Sequence, residues 1–233
     1  MPTDFSKLVK TIGAGRGHIL APHIDMFLEQ HNEFAPTVTV GGIKVDDGHF
    51  HPSGHCLMDE EALYQDRLGA QHRSITAAQK KTFDCGHMWH GYIQAALVEM
   101  GFVKPENVER HITLGLPAFN EPFPFRTKIS GTVDLFDVEI PGRGSWLVDI
   151  KTASIGTFAN LEQTSLFEKY KAQVNVYGDM VKQKNILILV IQKDSPHDFR
   201  EIQIQSDPEL LSEIYEKWIR VARRLEENES IGF

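Results

Sequence analysis

Apolar residues along this chain recur at three rhythms, and each rhythm predicts a different element. Residues 76–100 repeat near the helical period. Phe83, Met88, Tyr92, Ile93, Leu97 and Met100 form the expected core-facing set, with Thr76 as the cap and Gly101 as the stop. Residues 58–68 and 161–184 read as further helices, with a short one near 22–30. Strands follow the second rhythm. "VERHITLGL" reads as a strand, and "ISGTVDLFDVEI" alternates, with Val133 and Leu135 on one face and Thr132, Asp134 and Phe136 on the other. "PGRG" signals a turn into "SWLVDIKT", which closes a β-hairpin. The third rhythm is continuous: "NILILVIQ" is apolar without a break between its end residues, as in a central strand covered on both sides. "REIQIQS" alternates as an edge strand. The last element, "DPELLSEIYEKWIRVARRLEEN", is an amphipathic helix capped by Asp207 with Pro208 at its first position.

The order is strand, strand, strand, helix, strand, strand. It predicts an α/β fold, a mixed central β-sheet flanked by helices. A mainly helical N-terminal region (1–75) packs on a core of residues 76–233. There is no internal repeat and no low-complexity segment.

Composition narrows the class. With 233 residues, 41% of them hydrophobic, the chain can build one sizeable core. No apolar run reaches the roughly 18 residues of a membrane span, and the first ten residues lack the apolar stretch of a secretory signal. Two cysteines, Cys56 and Cys85, fit a reducing compartment, so a cytoplasmic location is expected. The net charge of −8 disfavours a nonspecific polyanion binder. A local basic groove stays open, from Lys80, Lys81, Arg126, Lys128, Lys169, Lys171, Lys182 and Lys184, against the plainer reading of solvated helix faces.

The chemistry lies in "SWLVDIKT". Asp149 and Lys151 are two apart and share a strand face in an otherwise apolar run. The hairpin brings Asp134 near them. Two carboxylates converging at one end of a sheet suit a hard divalent cation. The rival reading is an internal salt bridge from Lys151 to one aspartate at a sheet edge. Asp137 and Glu139, on the same hairpin, read as solvent-facing.

Taken in order, "GTVD" with Gly131 before Asp134, then "DIK", then "QVNVY" with Gln173 and Tyr177 on one helical face, and His90 upstream in "GHMWHGYIQ", the motifs resemble the RecB-like branch of the PD-(D/E)xK nuclease superfamily. Phage-type exonucleases, the CRISPR-associated RecB-like nucleases and the mitochondrial genome maintenance exonuclease are the nearest likenesses. The resemblance covers 83–192 firmly and the N-terminal "FHPSGHC" and "ALYQDRLG" loosely. It implies a restriction-endonuclease-like core and a Mg²⁺- or Mn²⁺-dependent DNA exonuclease leaving 5′-phosphates. His90, Asp134, Asp149 and the Ile150 carbonyl would be metal ligands. Lys151 would position the attacking water, and Gln173 and Tyr177 would orient Lys151 and the DNA backbone. It also implies DNA as partner, a role in phage-type recombination, repair or degradation, and, for a phage-encoded chain, the host cytoplasm. No G-x-x-x-x-G-K-[ST] pattern occurs, so a helicase partner would be a separate chain.

Two departures stand out. Several relatives hold a [4Fe–4S] cluster on four cysteines, three of them near the C-terminus. Here Cys56 has a suitable upstream place, but no cysteine follows Cys85, so no cluster is expected and Trp218, Ile219 and Val221 would hold that region by packing. Asp149 also stands where many relatives carry Glu. His49, His51, His55, Cys56, Cys85, His87 and His90 could be zinc ligands, but their spacing matches no standard zinc module. Single-strand stacking could fall to Trp89, Tyr92, Phe123, Phe125 and Arg126, with core or loop packing as the alternative. The rival functions are a structure-selective endonuclease and a catalytically silent DNA-binding recombination partner.

Overall fold

A computed structural model describes residues 18–38, 48–69, 76–115, 128–194 and 197–231. In chain order the elements are α1 (Ala21–Gln30), α2 (Pro52–His55), α3 (Glu60–Arg67), α4 (Ala77–Glu99), β1 (Val108–Gly115), β2 (Lys128–Ile140), β3 (Gly144–Ala153), α5 (Ile155–Asn160), α6 (Ser165–Val181), β4 (Ile186–Gln192), β5 (Phe199–Ile204) and α7 (Pro208–Ile231). The five strands form one mixed sheet in sequence order. Only β3 and β4 are parallel, and α5 and α6 make the crossover that parallel pairing requires.

The continuous apolar run does what its composition predicts. Every residue of β4 is buried, because helices cover both faces of the sheet. One face packs Leu147, Ile188 and Val190 against α6 and α7. The other packs Val148, Ile150, Leu187 and Leu189 against α1 and α4. Thr76 and Gln79 form a reciprocal capping box that starts α4. Asp207 accepts the Leu210 N–H at 3.0 Å and starts α7.

The C-terminal helix fastens the "HPSGHC" turn. Trp218 is fully buried and stacks on Phe50, with ring centroids 5.3 Å apart. Its indole N–H donates to the His55 carbonyl at 3.3 Å, while Lys217 Nζ donates to the Cys56 and Met58 carbonyls at 2.6 and 2.8 Å. Ile219 and Val221 are buried in the same core.

Two expectations from periodicity are corrected. Phe83 and Met88 of α4 are 50% and 57% exposed. The buried residues of that helix, Ile93, Gln94, Ala96 and Leu97, all belong to its C-terminal half. Val133 and Leu135 do not share a core: Val133 packs under α6 and α7, Leu135 under α1 and α4. Strict alternation fails between these two residues, where β1 and β2 are distorted together: between the Val108–Leu135 and Arg110–Val133 pairs, Glu109 takes a φ of 49°. Further along, the register of β2 with β3 shifts between Leu135 and Val138, where Asp137 takes a φ of 58°.

Candidate active site

β3 is the middle strand of the sheet, so an ion pair placed on it cannot be an edge feature. Asp149 and Lys151 share the face of Leu147, beneath α6. The Asp149 residue is 2% exposed. Lys151 Nζ lies 2.7 Å from its Oδ2, and Oδ1 has no hydrogen-bond partner among the described residues. The salt bridge anticipated as the plainer reading therefore exists, but at the centre of the sheet and with carboxylate lone pairs left over. Burial pushes the Asp149 carboxyl up to about 6, nearby Lys151 opposes that rise, and Asp134 reinforces it. The Lys151 ammonium is disfavoured by burial, but Asp149 and Asp134 outweigh that and raise its pKa overall.

Asp134 comes from β2 at the point where the hairpin opens. The β2–β3 ladder runs from the Ile140–Gly144 pair to Leu135–Val148. Beyond it, the Ile150 N–H donates to Asp134 Oδ2 at 2.7 Å, so a side chain replaces a strand partner. His90, on α4, places Nδ1 3.5 Å from the same oxygen. Burial, with Lys151 adding to it, lowers the His90 pKa to about 4. The ring is thus neutral at pH 7 and keeps a nitrogen lone pair. Of the expected ligand set, His90 and Asp134 adjoin directly. Asp149 lies within electrostatic reach of both, and Ile150 touches Asp134 through its N–H.

Gln173 and Tyr177 are both buried on α6 and hydrogen-bonded to each other. A Cβ on Gly131 would lie 2.6 Å from Tyr177 Cε1, so glycine is what lets the tyrosine ring cross β2. The "G-x-x-D" and "Q-x-x-x-Y" patterns are therefore two sides of one contact.

Three residues escaped sequence reasoning. Tyr170 sets its ring 5.2 Å from Lys151 Nζ. It lies three residues before Gln173 and seven before Tyr177, a helical spacing that could have revealed it. Gln94, one turn after His90, is buried and donates to Glu109 Oε1 at 2.8 Å. Glu109 itself brings a carboxylate into a group with His90 and Asp134, their candidate ligand atoms all within 4.8 Å of one another. Among the described residues this is the one such group of three. Nothing in "VERHITLGL" marks Glu109; its place follows from the pairing of Val108 with Leu135 and Arg110 with Val133.

The other candidates find plainer partners. His51 Nδ1 lies 2.9 Å from the Ser130 carbonyl, its backbone N–H donates to His55 Nδ1, and His55 Nε2 lies 3.3 Å from Asp66. Trp89 packs on His197 and Tyr92 on Phe34. Lys80, Lys171 and Lys182 pair with Asp84, Glu168 and Asp179. Glu139 is exposed as expected, whereas Asp137 is half-buried and accepts the Ser145 hydroxyl. Phe123, Phe125 and Arg126 lie outside the described residues.

No protein-family model matches the chain, and no curated protein matches it by sequence. Among solved structures it is similar to the alkaline exonuclease LHK-Exo from Laribacter hongkongensis (14% identity over 78% of this chain and 89% of that one, TM-score 0.48). It is also similar to a phage related exonuclease from Haemophilus somnus 129PT (14% identity, 73% and 82%, TM-score 0.41). The comparison that carries weight is with LHK-Exo in complex with dAMP, at 15% identity over 78% of this chain and 89% of that one, with a TM-score of 0.52. The chain has the mixed α/β fold of that exonuclease.

Proposed function

We propose that the protein is a Mg²⁺- or Mn²⁺-dependent deoxyribonuclease that works as an exonuclease on single strands or DNA ends. One observation carries this reading: a buried Asp149–Lys151 pair sits on the central strand within electrostatic reach of Asp134 and His90. The donor set fits a divalent cation. Asp149 Oδ1 is buried with no hydrogen-bond partner among the described residues, and His90 is neutral. His90, Asp134, Asp149 and the Ile150 carbonyl would hold the metal. When bound, it supplies Lewis-acid stabilisation of phosphate charge and a more acidic water.

The chain's own groups do the rest. Lys151 is a fixed positive charge that orients a water or a phosphate oxygen where negative charge develops. The Tyr170 ring covers it at 5.2 Å, and on the same helix the hydrogen-bonded Gln173 and Tyr177 would help orient it and the DNA backbone. The shared fold with LHK-Exo, which was solved with dAMP, supports a DNA substrate processed to nucleotides. DNA recombination, repair or degradation is the setting, in the cytoplasm, with any helicase supplied as a separate chain.

A time course on single strands labelled separately at the 5′ and 3′ ends tests the reading. Mononucleotides released from one labelled end first, only with Mg²⁺ or Mn²⁺ present, are expected. Cleavage of a closed circular single strand would make the protein an endonuclease. DNA binding without cleavage under any divalent metal would make it a silent recombination partner.

A further inference from the structure

Lys151 stands on the central strand with its side chain 15% exposed, and among the described residues it has two direct partners. One is Asp149 Oδ2 at 2.7 Å. The other is the face of the Tyr170 ring, whose centroid lies 5.2 Å from Nζ. Among the described residues no hydrogen bond joins Nζ to the tyrosine hydroxyl, so the contact is that of an ammonium with a ring quadrupole. The ring is held from behind. Tyr170 packs against the core that contains Leu147, Ile188 and Val190. Three residues on, Gln173 is hydrogen-bonded to Tyr177, which is set against Gly131. Burial raises the Tyr170 pKa against the opposing charge of Lys151, so the phenol is neutral at pH 7.

The two partners differ in what each can keep giving. Asp149 is the proposed metal ligand, and a carboxylate shared with a divalent cation has less charge left for an ammonium. The ring quadrupole is not shared. Resting on the nuclease reading above, we infer that Tyr170 is the positioning residue of Lys151: its ring face holds the ammonium over the site when Asp149 serves a cation. Without the ring, the buried ammonium keeps only the weakened partner and no longer has a fixed place at the reacting phosphate. Tyr170 acts on the reaction through Lys151 alone.

Denaturant melts of the metal-free full chain test the contact without any cleavage. In the D149N background, which takes the carboxylate charge away from Lys151, the variants K151M, Y170L and their combination form a double-mutant cycle. A coupling of about threefold or more in the unfolding constant is expected, and a larger one than with Asp149 present. Steady-state cleavage of single-stranded DNA with Mn²⁺ supplies the second readout. Y170L should lower kcat about tenfold with KM within about twofold, and Y170F should recover to within about threefold of wild type. Absence of coupling in the D149N background would overturn the inference and leave the nuclease reading standing. A Y170F protein as slow as Y170L would do the same and give the role to the hydroxyl. A wild-type chain that cleaves no DNA with either metal would overturn both.

Discussion

Gly131 and Tyr177 compete for one place: a Cβ on the glycine would stand 2.6 Å from Cε1 and 2.9 Å from the hydroxyl of the buried tyrosine. The contact binds β2 to α6 three residues before Asp134 and so sets the height of the helix over the Asp149–Lys151 pair. Gly131→Ala should cost about 1–3 kcal/mol as an overpacking change. Thermal melts of G131A, Y177A and the double variant check this. A double variant no less stable than Y177A alone is expected, because the clash disappears with the ring.

Lys151→Ala should lower DNA cleavage by about 100-fold or more, since a fixed charge at the reacting phosphate is lost. The fold should survive. Without its ammonium partner, the Asp149 carboxyl, already raised to about 6, binds a proton more readily and escapes being a buried lone charge. Far-UV circular dichroism alongside the cleavage assay separates the two effects. Robust cleavage by K151A would sink the site assignment. Asp134→Ala should also abolish cleavage and, unlike K151A, remove the response to metal.

Adding Mn²⁺ at about 100 times its dissociation constant should stabilise the fold by about 2.7 kcal/mol, which raises the melting temperature by roughly 5–10 °C. The reason is local, because the cation relieves the repulsion between Asp134 and the buried Asp149. Scanning fluorimetry of wild type and D134A with and without Mn²⁺ reads this directly. An equal shift in both proteins would place the binding elsewhere.

The pH dependence has a definite sign. The folded-state pKa of Asp149 is raised above that of the unfolded chain. Its contribution to metal-free stability is then fully present below the unfolded value near 4 and is lost as pH climbs to about 6. The loss is roughly 1–3 kcal/mol over that window. Denaturant melts of wild type and D149N at several pH values should show the wild type losing stability relative to D149N from pH 4 to 6. A constant difference would contradict the raised carboxyl.

Trp218→Ala should destabilise by about 3–5 kcal/mol, because the indole is fully buried against Phe50. The "HPSGHC" turn should loosen with it. Hydrogen exchange at His55 and Cys56 should rise more than at β4, whose seven residues are all buried.

The sequence by itself determined the elements whose periodicity is strong. The apolar run of β4 from Ile186 to Ile191, the hairpin around "PGRG", the capped α4 and α7, and the spacing of Asp149 with Lys151 are local properties. They depend on which residue types recur at which interval, and the structure keeps them with bounds close to those expected. The His90, Asp134, Asp149 and Lys151 cluster was legible because its members sit on three recognisable patterns, "GHMWHGYIQ", "GTVD" and "DIK". Tertiary structure decided the rest. Periodicity fixes which side of a helix is apolar but not where another element lies against it, so Phe83 and Met88 share the stripe of α4 and still face solvent. Alternation assumes an unbroken ladder, and β2 breaks its ladder beside Asp134, sending Val133 and Leu135 to different cores. Glu109 reaches the site only through strand pairing and a left-handed backbone, both long-range outcomes that no interval in its own strand encodes.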